Sequence, residues 1–250
     1  MQAHVFLIGA GPGDPELLTL RAARLIGEAA VILHDSLVSP EILALARRRT
    51  RLIDVGKRCG KHSASQAEIC AVLVAEAQTG ELVVRLKGGD PMVFGRATEE
   101  IAALRRAGIA FEVVPGVTAA TAAAAQLGLS LTKRGIARSL HFLAGHGAES
   151  GLPAHDWVAL TQSGGTLVVY MGGQNLAGLA THFIEAGMPP DMPAIAIENA
   201  SLPSQAVYRA GLGQLPALVA AASPAGPVLV LIGPALAEAA ELTPWLEAAS

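Results

Sequence analysis

The chain has 250 residues, of which 52% are hydrophobic and 16% are charged. This length and composition fit a well-packed globular protein of one large or two moderate domains. The net charge of −3 argues against a nucleic-acid-binding protein. No apolar run reaches the roughly 18–20 residues that a membrane-spanning helix needs, so the sequence predicts no membrane segment.

The cysteines and the amino terminus bear on the cellular compartment. Cys59 and Cys70 are too few for a disulfide framework. The first residues, up to His4, lack the basic region of a signal peptide, and the apolar run after them ends at Ile8. We therefore expect reduced thiols and a cytoplasmic location.

The first half alternates short apolar runs with helical patterns. Buried strands are predicted at Val5–Ile8, Val31–Leu33, Leu52–Val55, Leu82–Leu86 and Phe111–Val114. Helices are predicted from Pro15 to about Glu28, from Ser39 onward, over Ser65–Gln78 and over Glu99–Ala107. Short connections between alternating elements predict a mainly parallel five-stranded α/β sheet with helices on both faces. Ligands bind at the carboxyl ends of the strands in such sheets.

The second half restarts the alternation after an Ala-rich helix predicted at Thr118–Leu127. Its strands are predicted at Leu140–Leu143, Thr166–Tyr170, Ala194–Glu198, Ala206–Ala210 and Val228–Ile232. The two strands before Gly213 are close enough for an antiparallel turn, which predicts a mixed five-stranded sheet. We place the domain boundary near Gly116, giving an amino-terminal α/β domain at 1–116 and a carboxyl-terminal one at 117–250.

The stretch from Leu86 to Glu100 is the most informative segment. A strand runs into Gly88-Gly89, and glycines directly after a strand let another molecule approach bare backbone. Arg96 and Glu99 stand three residues apart, so they share a helix face if the helix begins near Gly95. The pattern predicts a ligand-binding loop beside a charged pair, although an ordinary turn before a solvated helix has the same pattern.

Two further strand ends are open to more than one interpretation. The stretch Gly9–Asp14 resembles a dinucleotide fingerprint, but Asp14 stands where a third glycine is needed and Pro12 lacks an N–H. Asp35, about 20 residues on, keeps a nicotinamide-dependent oxidoreductase as an alternative. Asp35 by itself is either a general base or the cap of the next turn.

Cationic pairs suggest an anionic small molecule. Lys57-Arg58 follows the third strand, and Lys133-Arg134 lies in a loop near Arg138. Paired cations suit carboxylates, which arginine can bind through two hydrogen bonds. Of the 18 Lys and Arg residues, 17 lie at or before Arg138, which favours an anion held mainly by the first half. The sequence has no nucleophilic-serine motif and no phosphate-binding loop, which disfavours a nucleophilic hydrolase. The histidines form no metal-binding pattern, so we expect no metal.

Taken in order, these motifs resemble the uroporphyrinogen-III C-methyltransferases of the tetrapyrrole methylase family. The matching stretches of the first domain are Gly9–Asp14, Leu17–Thr19, Asp35–Val38, Val55–Arg58, Leu86–Arg96 with Glu99-Glu100, and Val113–Ala119. Those after it are Leu131–Arg134, Gly145-His146, Leu167–Gly172, Glu198–Ala200 and Val228–Gly233. They cover nearly the whole chain in one order.

The resemblance implies two α/β domains with S-adenosylmethionine bound in the cleft between them, where the active site would lie, and a homodimer. It implies two methyl transfers to uroporphyrinogen III, at C2 and C7, which give precorrin-2 by way of precorrin-1 and release S-adenosylhomocysteine. Precorrin-2 leads on to sirohaem, cobalamin or haem d1, and these residues do not distinguish the three. Because no further domain precedes the motifs in this sequence, we expect a stand-alone methyltransferase.

The resemblance also implies roles for single residues. Asp35 matches the position of the family's proton acceptor, and Lys57 matches that of its proton donor. Cofactor contacts carried over position by position are Pro12, Gly88, Gly89, Asp90, Val93, Thr118, Ala119, Met171 and Ala200.

The substrate of that family bears eight carboxylates, which the cationic residues would bind. Arg96, Glu99 and Arg134 match residues implicated in substrate binding and turnover, and Lys133 adds a positive charge beside Arg134. The chain departs from the usual family pattern at His34, Ala97-Thr98, Lys133, Ala144 and Ala200.

Three alternatives stay open. The nearest is another tetrapyrrole methylase that acts later on the corrin ring, although Lys57-Arg58 and Leu131–Arg134 favour the uroporphyrinogen enzyme. The second is the nicotinamide-dependent oxidoreductase, which the incomplete glycine motif disfavours. The third is a non-catalytic cofactor-binding module, against which the charged residues at the strand ends argue.

Overall fold

The computed structural model describes residues 4–56, 65–147 and 151–240. The chain forms two compact units, Met1–Ala119 and Ala120–Ser250. The boundary predicted near Gly116 lies shortly before this division. No helix among the described residues is long and apolar enough to cross a membrane.

The first unit contains a parallel sheet, as the alternation of elements predicted. Its strands are β1 (Val5–Gly9), β2 (Val31–His34), β3 (Arg51–Asp54), β4 (Val83–Lys87) and β5 (Phe111–Val114). They lie in the order β3-β2-β4-β1-β5, and every pair is parallel. β1 and β4 are buried at every position, as expected of central strands in a sheet covered on both faces.

Alternate side chains of this sheet face two separate layers of helices. The helices are α1 (Leu20–Glu28), α2 (Pro40–Leu43), α3 (Gln66–Ala77) and α4 (Ala97–Arg106). Phe6 and Ile8 pack in one core cluster with α1 and α2. Val5 and Leu7 pack in a second cluster with α3 and α4. This period of two along β1 is what a strand buried on both faces requires.

The prediction of one continuous helix from Pro15 is wrong at its start. Residues Pro15–Leu17 form a 3₁₀ turn, and α1 begins only at Leu20. The interruption has a local cause, because two side chains cap separate starts. The Asp14 carboxylate accepts a hydrogen bond from Glu16 N at 2.8 Å, and the Thr19 hydroxyl accepts one from Ala22 N at 3.1 Å.

The second unit contains a mixed sheet. Its strands are β6 (Leu140–Ala144), β7 (Thr166–Tyr170), β8 (Pro193–Glu198), β9 (Ala206–Gly211) and β10 (Val228–Ile232). Its sheet order is β6-β7-β10-β8-β9, with β6 and β7 parallel and the other pairs antiparallel. The helices are α5 (Ala119–Gln126), α6 (Trp157–Gln162), α7 (Leu176–Glu185) and α8 (Leu215–Ala222). The antiparallel β8–β9 pair confirms the mixed sheet.

Three glycines bring the ends of β1, β4 and β5 into backbone contact. A Cβ atom built on Gly9 would lie 2.6 Å from both Gly116 Cα and the Gly89 backbone oxygen. A Cβ atom built on Gly116 would lie 2.3 Å from that same oxygen. Only glycine fits at Gly9 and Gly116 without moving a neighbouring strand end.

We expect Gly116→Ala to destabilise the protein by about 1–3 kcal/mol, because the added methyl group overlaps fixed backbone atoms rather than a flexible side chain. Gly27→Ala is the control, since the nearest atom to its added Cβ, the Leu45 backbone oxygen, is 3.8 Å away. That change in α1 should stabilise by about 0.4–1 kcal/mol. Urea unfolding of both variants measures the difference, and equal midpoints would contradict the close approach at Gly116.

Candidate active site

The carboxyl ends of the parallel strands carry the residues that the sequence singled out in the first unit. Gly9 ends β1, Asp35 follows β2, and Gly88 follows β4. The stretch 116–118 follows β5 after one proline. Lys57 and its neighbour lie outside the described residues. Strand order alone therefore brings the described candidates to one edge of the sheet.

The loops after β1 and β4 pair with each other beyond the sheet. Gly11 and Gly89 exchange two backbone hydrogen bonds, of 3.1 Å and 2.7 Å. Ala10 N donates to the Lys87 oxygen at 2.7 Å. Gly89 has φ +66°, and no atom lies within 4 Å of the place where its Cβ would be. Gly89 therefore presents open backbone at the sheet edge, whereas the other glycine of the pair, Gly88, lies against Leu37.

Asp90 ties that loop to the end of β5. Its Oδ1 accepts a hydrogen bond from Met92 N at 2.8 Å, and its Oδ2 accepts one from Gly116 N at 2.9 Å. Both oxygens of the carboxylate thus receive backbone N–H groups. Val93 N also donates to the backbone oxygen of Asp90, at 3.2 Å. The carboxylate of Asp90 holds the shape of the loop rather than standing free beside it.

Four charged side chains meet below the ends of β2 and β4, and they form what we call the buried charge cluster: Asp35, Arg85, Lys87 and Glu100. Arg85 is 1% exposed, Lys87 is 3% exposed, and Glu100 is 0% exposed. The side chain of Asp35 is 30% exposed, which makes it the member that reaches the surface. With two cations and two carboxylates, the buried charge cluster is formally neutral.

Glu100, on the first turn of α4, lies at the centre of the buried charge cluster. Its Oε1 accepts hydrogen bonds from Arg85 Nε and from Lys87 Nζ, both at 2.9 Å. Its Oε2 accepts a second bond from Lys87 Nζ at 3.1 Å. Gln66 of α3 adds a long contact of 3.5 Å to Oε1. The cations of β4 are thereby joined to both helices that cover this face.

The far end of the Arg85 guanidinium reaches Asp35. Nη2 donates to Asp35 Oδ1 at 2.5 Å, while Nη1 donates to the Leu86 backbone oxygen at 3.1 Å. Among the described residues, Arg85 is the one side chain that hydrogen-bonds to the Asp35 carboxylate. The arginine therefore sets where Oδ1 lies.

Burial lowers the pKa of each of the two cations, Arg85 and Lys87, whereas pairing with carboxylates raises it. Burial alone would lower the pKa of Arg85, but the carboxylates of Glu100 and Asp35 outweigh it and raise that pKa. The pKa of Lys87 is lowered, first by burial and then by the neighbouring Arg85 charge, which together exceed the effect of Glu100. The two carboxylates thus favour the charged form of Arg85, whereas burial and the Arg85 charge disfavour that of Lys87.

Sequence reasoning missed Arg85, Lys87 and Glu100 as members of a site. Arg85 lies within the apolar run predicted as a strand, and Glu100 was named only in a stretch that matches the family, without a role. A signal was available, because Lys87 directly follows the buried strand predicted at Leu82–Leu86 and, two residues from Arg85, falls on the same face if the strand continues by one residue. Two buried cations on one face require acidic partners on the helix packed against it.

Arg96 and Glu99 form an ion pair, although α4 begins only at Ala97, so Arg96 lies before the helix and the two do not share a helix face as predicted. Arg96 Nε donates to Glu99 Oε1 at 3.0 Å, and the two side chains are 62% and 45% exposed. Arg96 has φ +53°, a left-handed conformation directly before α4. The pKa of Glu99 is lowered, chiefly by a hydrogen bond from its own backbone N–H and then by Arg96. An exposed pair of this kind is open to a ligand.

The remaining predicted residues occupy turns and surface positions. Met171 follows β7 with φ +58° and is half exposed. Ala200 is buried in the turn after β8. Lys133 pairs through its backbone with Ala137, and Arg134 beside it is exposed. The last three predicted residues are partly buried and lie outside the regular strands: Pro12, Thr118 and Ala119.

Residues 4–216 match the family of Tetrapyrrole (Corrin/Porphyrin) Methylases. The chain belongs to this family. Its fold agrees, because a uroporphyrin-III C-methyl transferase from Thermus thermophilus, solved with S-adenyl homocysteine, superposes with a TM-score of 0.80 at 40% identity. That comparison covers 94% of this chain and 99% of the Thermus chain.

Curated members of the tetrapyrrole methylase family are also similar in sequence. The siroheme synthase of Methylococcus capsulatus is 51% identical over 229 residues, which are 92% of this chain and 48% of that protein. The chain thus spans about half the length of the siroheme synthases it matches. The uroporphyrinogen-III C-methyltransferase of Paracoccus denitrificans is 46% identical over 92% of this chain and 80% of its own length.

We expect Asp90→Asn to destabilise the protein by about 1–3 kcal/mol, because the amide keeps one acceptor and turns an NH₂ group toward a backbone N–H. Asp191→Asn, at an exposed position, should stay within about 0.5 kcal/mol of the wild type. Thermal unfolding of the two variants distinguishes them. Unchanged stability of the Asp90 variant would mean that its carboxylate does not hold the loop.

Proposed function

We propose that this chain is an S-adenosylmethionine-dependent methyltransferase that converts uroporphyrinogen III to precorrin-2, by way of precorrin-1, through methylation at C2 and C7. The observation that carries the proposal is one carboxylate, Asp35, held by buried Arg85 at the same sheet edge as the open backbone of Gly89. Membership of the tetrapyrrole methylase family and the names of its 46–51% identical relatives support it. The shared fold alone would not, since one fold serves many reactions.

The glycine loop fits a nucleoside cofactor such as S-adenosylmethionine. Gly89 leaves open space where a side chain would stand, and Asp90 holds the loop through two backbone N–H groups. When bound, the cofactor supplies a methyl group already activated on a sulfonium. The residues proposed to hold it are Pro12, Gly88, Gly89, Asp90, Val93, Thr118, Ala119, Met171 and Ala200.

Asp35 is proposed to accept the proton that leaves the macrocycle. Its Oδ1 is fixed by Arg85, and no described residue donates a hydrogen bond to its Oδ2. With the side chain 30% exposed, the carboxylate can meet a substrate while its direction stays set from behind. Lys57 is the proposed proton donor of the same reaction and lies outside the described residues.

The proposed substrate is an apolar ring bordered by carboxylates, and the surface offers groups for both parts. Arg96, with Glu99 holding its Nε, is exposed for a carboxylate. Lys133 and Arg134 are the proposed cations of the second unit. For the ring, large apolar side chains are exposed near the glycine loop: Leu37, Met92 and Phe94. Leu37 lies beside Gly88, where an added Cβ would be 3.2 Å from its own.

A homodimer and a cytoplasmic location complete the proposal. Both rest on the sequence analysis. The pathway served, to sirohaem, cobalamin or haem d1, depends on enzymes that act after precorrin-2.

Anaerobic incubation with uroporphyrinogen III and methyl-labelled S-adenosylmethionine should place two methyl groups on each macrocycle. Mass spectrometry of the product counts them. Labelled product from a precorrin but not from uroporphyrinogen III would instead support a methylase of the later corrin pathway. No product from either, with S-adenosylhomocysteine bound, would support a non-catalytic module.

Asp35→Asn should lower kcat at least about 100-fold, because the amide cannot accept a proton in place of the carboxylate. Affinity for S-adenosylhomocysteine, measured by calorimetry, should stay within about threefold, since the glycine loop is untouched. Ser36→Ala, at the exposed neighbouring position, is the control and should keep its activity. Normal precorrin-2 formation by the Asp35 variant would refute the assignment of the base.

A further inference from the structure

Glu100 is the one member of the buried charge cluster with no solvent-exposed area. A carboxylate that cannot meet a ligand must act on its neighbours. Glu100 lies on α4, whereas Asp35 lies after β2, and the two meet only through Arg85. Glu100 binds the arginine at Nε, and Asp35 binds it at Nη2. One guanidinium therefore bridges a fully buried carboxylate and a partly exposed one.

Two acceptors are needed to fix a guanidinium in direction. The long arginine side chain has several rotatable bonds, and a single partner leaves it free to pivot. In this protein Nε is held by Glu100, and Nη1 is held by the Leu86 backbone oxygen. Nη2 is then directed at Asp35 Oδ1. Without the Nε partner, the position of Nη2 would be set by two backbone contacts of Nη1, to the Leu86 oxygen at 3.1 Å and the Leu33 oxygen at 3.5 Å, and by Asp35 itself.

We propose that Glu100 is a positioning residue for Asp35 and acts through Arg85. The inference rests on the proposed function in taking Asp35 as the proton acceptor. The competing explanation is that Glu100 serves only to neutralise Lys87, whose Nζ contacts both of its oxygens. The two explanations differ in one contact, the hydrogen bond from Arg85 Nε.

A matched pair of double variants isolates that contact. Glu100→Gln/Lys87→Met and Glu100→Leu/Lys87→Met remove the same two charges, so the cluster stays neutral in both. The Gln variant keeps an oxygen that can accept from Arg85 Nε, and the Leu variant does not. Replacing a buried ion pair with apolar residues of similar volume is often tolerated. If the Leu variant unfolds, Glu100→Met/Lys87→Met takes its place, since methionine adapts to irregular space.

The kinetic result expected is a change in kcat alone. The Leu variant should have a kcat at least about tenfold below that of the Gln variant, because a small misplacement of a reacting group strongly lowers the rate. KM for uroporphyrinogen III and the calorimetric Kd of S-adenosylhomocysteine should agree within about threefold between the two. Equal kcat values would overturn the proposal, as would a loss that follows the thermal unfolding midpoint.

Crystal structures of the two double variants give a readout that needs no turnover. The hydrogen bond between Arg85 Nη2 and Asp35 Oδ1 should persist in the Gln variant and be broken or redirected in the Leu variant. An unchanged bond in the Leu variant would refute the positioning role. If the wild type forms no methylated product, the proposed function fails, while the two structures still decide whether Glu100 positions Asp35.

Discussion

Two buried cations on the central strand constrain the whole first unit. Arg85 and Lys87 are almost without solvent contact, and a buried charge is strongly unfavourable unless it is paired and hydrogen-bonded. Glu100 must therefore lie above β4, which fixes where α4 begins and how it packs. Asp35 must come within reach of the same arginine, which fixes the turn after β2. Fold and site thus share one electrostatic constraint.

The glycine contacts impose a second constraint that complements the first. A side chain at Gly9 or Gly116 would overlap the backbone of the neighbouring strand ends, including the Gly89 oxygen. The outer side of Gly89 remains open, and Asp90 joins the loop to Gly116. The buried charge cluster fixes the ends of β2 and β4, and backbone contacts among Gly9, Gly89 and Gly116 fix the ends of β1, β4 and β5. A rigid edge of this kind suits a site that must align two reactants.

The strands and most helices could be predicted from the sequence, whereas the buried charge cluster could not. Apolar runs predicted each of the ten strands that the structure describes, with both ends within one residue. The helix start at Pro15 was wrong because two neighbouring caps, Asp14 and Thr19, divide that segment. The buried charge cluster was missed for a different reason: two cations on one face of β4 indicate that acidic partners exist, but not which residues they are. Pairing between Arg85 and Glu100 depends on how α4 lies across β4, which no local pattern encodes.

Two departures from the family pattern, Ala97 and Thr98, lie at the start of α4. Ala97 is 3% exposed and packs in the core cluster of α3 and α4, while Thr98 points to solvent. The change at these two positions therefore affects the packing and stiffness of the helix start, whereas the direction of Arg96 is set by its own left-handed backbone.

Ala200 differs, because it stands at a position proposed to touch the cofactor. It lies between Asn199 and Ser201, both with positive φ, in a turn held by Glu198, which accepts hydrogen bonds from two backbone N–H groups at 2.8 Å. Its methyl group is largely buried, with 8% of the residue exposed. A cofactor contact here would accordingly use backbone atoms, and the added methyl group need not reduce affinity. Met171, half exposed after β7, is the position at which a side chain of this unit can make the contact instead.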